Sequence, residues 1–162
     1  MKLNKKDLFI LLIIAVGMLL VNYGIKIYLN NKYDYYIVEG KSMEPNILDG
    51  AEVKVNNIKK INRYDIVVLE VNNKIYIKRV IGVPGDTIRF TKEGDTYLNN
   101  NLVTWNFETK GITRSIDEEI TLDHQFYYVL GDNRDIAYDS RTFGKVSKSQ
   151  ILGVVVNINN SK

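Results

Sequence analysis

Two residues of this chain, Ser42 and Lys78, have the chemical types of a nucleophile and a base. A serine hydroxyl attacks well only when a nearby base takes its proton. Lys78 lies in a run that alternates like a strand, with Tyr76 and Val80 on the same face. An ammonium group in such surroundings loses hydration, which lowers its pKa and makes the neutral amine available as a base. On this strand alone, the more ordinary interpretation is an edge lysine that discourages aggregation.

The composition excludes several other chemistries. The chain has no cysteine, which excludes disulfides, thiolate zinc sites and cysteine catalysis. Its one histidine, His124, cannot form a metal centre alone, and its neighbours lack the pattern of a Ser/His/Asp triad, so we interpret it as a surface residue. No metal or cofactor is expected. The 22 basic and 19 acidic residues are spread along the chain, so no basic block indicates a nucleic-acid partner.

An apolar segment precedes both residues. From Leu8 to Ile25 no residue is charged, and about 20 apolar residues are needed to cross a bilayer. If Lys26 snorkels, the segment continues to Leu29 and predicts a membrane anchor over residues 8–29. A cleavable signal peptide would have a shorter apolar run and a small-residue cleavage site, which Val21–Ile25 does not offer. A buried helix of a soluble domain fits less well, because the run is apolar on every face.

The charges before the anchor predict its orientation. Three lysines and the amino terminus precede it, countered only by Asp7. The positive-inside bias therefore predicts a cytoplasmic tail over residues 1–7. Residues 30–162 would then form an extracytoplasmic domain at the cell membrane.

The remainder of the chain has the pattern of one mainly β domain. The 162 residues are 45% hydrophobic, which suffices for one compact core. After a polar bridge, Asn30–Asp34, short runs of Tyr, Val and Ile alternate with Gly, Asn and Asp, and Asn72-Asn73 suits a tight hairpin. The predicted strands are Tyr35–Val38, Glu52–Val55, Ile66–Val71, Lys74–Ile81, Thr87–Thr91, Thr96–Leu98, Phe126–Leu130 and Val154–Ile158.

An ordered set of short motifs surrounds the two candidate catalytic residues. The motifs are Ser-Met-x-Pro at 42–45, Arg-Tyr-Asp-Ile-Val-Val at 63–68, Tyr-Ile-Lys-Arg-Val-Ile-Gly-Val-Pro-Gly-Asp at 76–86, Gly-Asp-Asn-Arg at 131–134, Asp-Ser-Arg at 139–141 and Phe-Gly at 143–144. In this order, behind an N-terminal anchor, they resemble the bacterial type I signal peptidases, with similarity to Gram-positive members. The resemblance extends from the anchor to Gly153.

The resemblance implies specific roles for several residues. Ser42 matches the nucleophile and Lys78 the base of a Ser/Lys dyad, and Asp139 and Arg141 match a pair that braces the site. The backbone N–H of Ser42 matches one donor of the oxyanion hole, which stabilises the charge of the tetrahedral intermediate. Six further positions match the lining of shallow substrate pockets: Tyr36, Val38, Met43, Ile47, Tyr76 and Ile77.

The same resemblance implies a fold, a reaction and partners. The expected fold is a coiled β-sheet catalytic domain tethered by one transmembrane helix, with an apolar face near the lipid bilayer. The expected reaction is the removal of signal peptides from exported preproteins after a small residue. The pattern leaves open whether the substrates are general precursors or a dedicated set such as pilins.

Three positions depart from the family pattern. Gly40 stands where some members have a serine that completes the oxyanion hole, so the second donor is unidentified. Ala137 stands where a serine usually orients the lysine, and Tyr64 replaces a usual glycine. The departure at Ala137 motivates an alternative, a catalytically weak or inert homologue that acts as an assembly or chaperone factor for exported subunits such as pilins. A self-cleaving Ser/Lys repressor is a further alternative, but it would need a DNA-binding helix pair where this chain has the apolar segment.

Overall fold

The chain folds into one long N-terminal helix followed by two antiparallel sheets. The computed structural model describes residues 4–112 and 117–160, and for residues 29–31 it describes the backbone alone. The arrangement confirms the predicted mainly β fold behind an N-terminal apolar helix. Residues 1–3 of the predicted cytoplasmic tail lie outside the described residues.

The helix α1 spans Lys5–Lys32. A capping box begins it, in which the Asn4 side chain accepts the backbone N–H of Asp7 at 2.9 Å. Its segment Lys5–Tyr28 has a mean hydropathy of 2.6 and is not buried against any other described part of the chain. An apolar helix of this length suits a membrane span.

The strands are β1 (Tyr33–Ile37), β2 (Glu52–Asn56), β3 (Ile66–Val71), β4 (Lys74–Gly82), β5 (Thr87–Phe90), β6 (Thr96–Leu98), β7 (Asn101–Leu102), β8 (Glu118–Thr121), β9 (Phe126–Leu130), β10 (Val146–Ser147) and β11 (Ile151–Asn159). A four-residue helix α2 (Ser140–Phe143) follows β9, and a 3-10 turn (Lys148–Gln150) precedes β11. The larger sheet has the order β1-β2-β11-β3-β4-β9-β10, and the smaller one has the order β7-β6-β5-β8.

Each predicted strand corresponds to an observed one, with ends that differ by at most three residues. The predicted polar bridge Asn30–Asp34 is wrong, because α1 continues to Lys32 and passes directly into β1, where Tyr33 already pairs with Asn56. The strands β7, β8 and β10 and the helix α2 were not predicted. They have only two to four residues each, so their pattern is too short to stand out from loop sequence.

The core of the larger sheet fixes the loop between β1 and β2. Val38, Met43 and Ile47 from this loop pack with Val53 and Val68 in one buried cluster. The loop is thereby held on both sides of residue 42. Because interiors are close-packed, the backbone at that position has little freedom to shift.

Candidate active site

Ser42 lies in the loop that follows β1. The loop is closed by hydrogen bonds from Val38 N–H to the Ala51 carbonyl at 2.8 Å and from Gly50 N–H to the Val38 carbonyl at 2.9 Å. Gly40 adopts a φ of +89°, a conformation that a side chain rarely tolerates, and its N–H donates to Asp49 Oδ1 at 2.8 Å. The Gly40 amide is therefore occupied, and a serine at this position would be strained.

Lys78 lies on β4 and reaches Ser42 across the loop. Its Nζ is 2.8 Å from Ser42 Oγ and 2.7 Å from the Ile77 carbonyl oxygen, to which it donates. The side chain of Tyr76 lies on the same face of β4, with its ring centroid 5.6 Å from Nζ. Only 2% of Lys78 is exposed. The two residues are thus in direct hydrogen-bond contact in a largely dry environment.

The electrostatics of Lys78 increase the fraction of its amine that is neutral. Burial lowers the pKa of Lys78 from its ordinary 10.5 to about 8, while the carboxylates of Asp139 and Asp132 oppose the shift. A base with a pKa near the working pH is effective, because an appreciable fraction of it is unprotonated.

The turn after β9 holds the backbone of Ser42 from the other side. Asn133 N–H donates to the Ser42 carbonyl at 3.1 Å, and Asn133 Nδ2 donates to the Lys41 carbonyl at 3.2 Å. A Cβ atom on Gly131 would lie 2.6 Å from the Ser42 carbonyl oxygen and 2.3 Å from Ala137 Cβ. The close approach of these two segments therefore requires glycine at position 131.

A cleft with a volume of about 260 Å³ opens beside Ser42 and Lys78, between the end of β1 and the first half of β4. Five of the six predicted pocket residues line it: Tyr36, Val38, Met43, Tyr76 and Ile77. The sixth, Ile47, is fully buried in the core and is not part of the lining, since the loop turns it away from the cleft. Ile37, Glu39 and Ile75 also line the cleft and were not predicted.

Comparisons with known proteins show which family this chain is similar to. The family model "Signal peptidase, peptidase S26" matches residues 6–158. Signal peptidase IB of Staphylococcus aureus is 36% identical, with 74% of each chain covered. Signal peptidase I V of Bacillus subtilis (strain 168) is also 36% identical, with 74% of this chain and 82% of the relative covered. A crystal structure of a signal peptidase I from Enterococcus faecalis V583 superposes with a TM-score of 0.52 and 29% identity, covering 61% of this chain and 99% of the other.

This chain belongs to the signal peptidase family, peptidase S26. It is therefore a hydrolase of a serine-protease family that acts on exported preproteins with signal peptides.

The predicted bracing pair of this signal peptidase, Asp139 and Arg141, lies next to the turn that holds the Ser42 backbone. Asp139 is fully buried, and its two carboxylate oxygens accept Arg141 Nε and Nη2, both at 2.8 Å. Asp139 Oδ2 also accepts the N–H of Gly131 at 2.9 Å. Asp139 further caps α2 through the N–H of Arg141. The pair thus fixes the turn that holds the Ser42 backbone.

A second buried ion pair was not predicted. Arg79 donates from Nε to Asp132 Oδ1 at 2.8 Å and from Nη2 to Asp132 Oδ2 at 2.7 Å. Asn46 Nδ2 donates to the same carboxylate at 2.9 Å, and the Arg79 guanidinium stacks 4.0 Å from the Phe107 ring. The feature of the sequence that could have indicated this pair is that Arg79 and Asp132 lie in the motifs at 76–86 and 131–134. The pair ties β4 to the turn after β9, next to Lys78.

Two further residues discussed in the sequence analysis are Ala137 and His124. Ala137 lies against Gly131, and Lys78 uses the Ile77 carbonyl as an acceptor besides Ser42. His124 is exposed in the turn between β8 and β9 and does not line the cleft.

Proposed function

We propose that this signal peptidase is a membrane-bound endopeptidase that cleaves preproteins after a small residue with a Ser42/Lys78 dyad. The observation that carries the proposal is the 2.8 Å contact between Ser42 Oγ and Lys78 Nζ, made by a lysine whose burial lowers its pKa to about 8. A nucleophile in contact with a base that is partly neutral near physiological pH has the arrangement needed for acyl transfer.

The reaction proceeds in two steps. Neutral Lys78 takes the Ser42 proton as Oγ attacks the scissile carbonyl, and the resulting ammonium protonates the leaving amine as the peptide bond breaks. Lys78 then takes a proton from water as the water oxygen attacks the acyl ester, and it returns this proton to Ser42 Oγ as the ester bond breaks and the carboxylic acid product leaves. The Ser42 N–H has no acceptor among the described residues, so it is available to stabilise the oxyanion.

The cleft suits an extended peptide substrate with small side chains. Among the described residues, β1 pairs only with β2, and β4 pairs with β9 only from Arg79 onward. The cleft therefore lies between two unpaired strand edges, to which a peptide can add as a further strand. Its volume of about 260 Å³ falls below the roughly 300–1,000 Å³ of ordinary ligand pockets, which favours short side chains.

The proposed anchor places this cleft near a membrane. With α1 crossing the bilayer and the N-terminus inside, residues 30–162 lie on the outer face. β1 connects α1 to the cleft in five residues, a distance of about 16 Å at roughly 3.3 Å per residue. A preprotein held in the same bilayer by its signal segment would therefore have a high effective concentration at Ser42. Protease added to intact spheroplasts should digest the domain, and its protection would refute the topology.

Cleavage by matched variants tests the dyad. The detergent-solubilised full chain and its variants Ser42→Ala and Lys78→Ala are each incubated with a preprotein. The matched controls are Ser149→Ala and Lys74→Ala, in which the replaced residue is exposed. We expect each dyad variant to lose at least about 10³-fold in kcat and each control to match the wild type. Near-normal cleavage by either dyad variant would remove that residue from the mechanism.

The alternative assembly or chaperone role would appear in the same experiment. The wild type would then bind the preprotein without cutting it. No feature of the described site favours this role, because the contact between nucleophile and base is formed without a serine at position 137.

A further inference from the structure

A group of lysine and tyrosine side chains surrounds the junction of α1 and β1. Lys32 Nζ lies 5.8 Å from the ring centroid of Tyr28 and 5.3 Å from that of Tyr33. Lys54 Nζ, on the adjacent strand β2, lies 4.2 Å from the Tyr33 ring and 5.7 Å from the Tyr35 ring. We refer to these five residues as the lysine–tyrosine cluster. Two ammonium groups thus share one tyrosine ring.

No carboxylate neutralises these two ammonium groups. Among the described residues, neither Lys32 nor Lys54 forms a salt bridge within 4.0 Å. Asp34 alternates to the opposite face of β1, where it accepts Asn57 Nδ2 at 2.8 Å. Glu52 shares the face of Lys54 but lies two residues before it, at the start of β2 and opposite Ile37. Since like charges repel, a bound anion would stabilise the cluster.

The position of the cluster favours a lipid as the source of such an anion. The apolar exposed segment of α1 ends at Tyr28, and four further residues at 1.5 Å each place Lys32 about 6 Å beyond it. Asn57 N–H donates to the Lys32 carbonyl at 3.0 Å, which ties the loop after β2 to the helix end. In that loop Ile58 is 60% exposed. Tyrosine, lysine and an exposed apolar side chain at this depth are typical of a bilayer interface.

We propose that the lysine–tyrosine cluster binds the phosphate of an anionic phospholipid at the membrane surface. This inference rests on the membrane anchoring included in the proposed function. The two ammonium groups donate charge-assisted hydrogen bonds to the phosphate oxygens, and the tyrosine rings lie among the headgroups. Because β1 leads from the cluster to Glu39 and the cleft, lipid binding here fixes the height of the cleft above the bilayer.

The cluster is tested by lipid titration of the full chain in nonionic detergent. Short-chain phosphatidylglycerol and phosphatidylcholine are titrated separately, and bound lipid is counted by native mass spectrometry. Lys32→Gln/Lys54→Gln removes two charges from the cluster. The control Lys92→Gln/Lys145→Gln removes two charges from lysines that pair with Asp117 and Asp123, the residues on either side of β8.

We expect the wild type and the control to prefer phosphatidylglycerol, and the cluster variant to bind it about 30-fold more weakly. Equal affinity of the wild type for both lipids would overturn the proposal. So would an unchanged affinity in the cluster variant. Displacement of phosphatidylglycerol by an equal concentration of inorganic phosphate would also overturn it, because the site would then recognise a free anion.

A parallel assay separates this inference from the proposed function. Neither Lys32 nor Lys54 lines the cleft, so the cluster variant should cleave a soluble peptide substrate in detergent at the wild-type rate. If no preparation cleaves, the proposed reaction fails while the lipid result stands. If all cleave and their lipid affinities are equal, the lipid inference alone fails.

Discussion

Replacing Lys78 by methionine should stabilise the folded domain at neutral pH while abolishing its activity. The folded-state pKa of Lys78 is about 8, against an ordinary value of 10.5, because burial disfavours the ammonium. Between these two values the unfolded chain binds more protons than the folded one, so stability rises with pH across that window. Below pH 8 the wild type carries the full cost of the buried charge. A methionine of similar length carries no such cost.

The size of the effect follows from the two pKa values. The two pKa values differ by about 2.5, which at about 1.36 kcal/mol for each step of 1 in pKa amounts to about 3 kcal/mol at pH 7. Part of the gain is offset by the lost hydrogen bonds to Ser42 Oγ and the Ile77 carbonyl, at about 1 kcal/mol each. That offset does not depend on the titration of Lys78. The free energy of unfolding of the variant relative to the wild type should therefore fall by about 2.5 kcal/mol between pH 7 and pH 10.

Urea unfolding followed by tryptophan fluorescence measures this difference. Trp105 is the one tryptophan of the chain, and its ring lies 4.5 Å from the Arg134 guanidinium, so its emission should change when the domain unfolds. With a slope of roughly 1–3 kcal/mol per molar urea, the gap between the two midpoints should narrow by about 1 M or more on going from pH 7 to pH 10. If the difference between the two urea midpoints does not change with pH, the pKa of Lys78 is not lowered by burial.

Three other substitutions test the surroundings of the dyad. Gly131→Ala should lower kcat about 10²-fold or more, because its Cβ would press on the Ser42 carbonyl. The control Gly24→Ala, on the open helix face, should leave kcat unchanged. Equal kinetics in these two purified variants would contradict the close approach of Gly131 to Ser42. Ala137→Ser should raise kcat by at most a few-fold with little change in KM, and a lower kcat would mean that the hydroxyl displaces the existing orientation. His124→Ala should leave kcat/KM unchanged, and a large loss would implicate a histidine base.

The local pattern of the sequence predicted the strands well. Alternation in Lys74–Ile81 placed Tyr76 and Lys78 on one face of a strand, as in β4. The proximity of Ser42 and Lys78, which are 36 positions apart, did not follow from alternation. It followed only from the order of the motifs and the family they resemble.

Features that depend on packing between distant segments could not be predicted from the sequence. The pairing of Arg79 with Asp132 joins residues 53 positions apart and depends on the register of β4 with β9. Ile47 looked like a pocket residue, but close packing of the loop directs it into the core. The exposed Ile37 at the rim has no periodic signal that separates it from an ordinary strand residue.

The pH dependence of preprotein cleavage tests the pairing of Ser42 with a neutral Lys78 most directly. In the proposed mechanism the neutral amine is the active form, so kcat/KM of the wild type should rise with pH, reach half its maximum near the Lys78 pKa of about 8, and then level off. A rise of kcat/KM that begins only near pH 10.5 would show that the pKa of Lys78 is not lowered. A pH dependence that disappears in His124→Ala would assign the base to histidine and contradict the dyad.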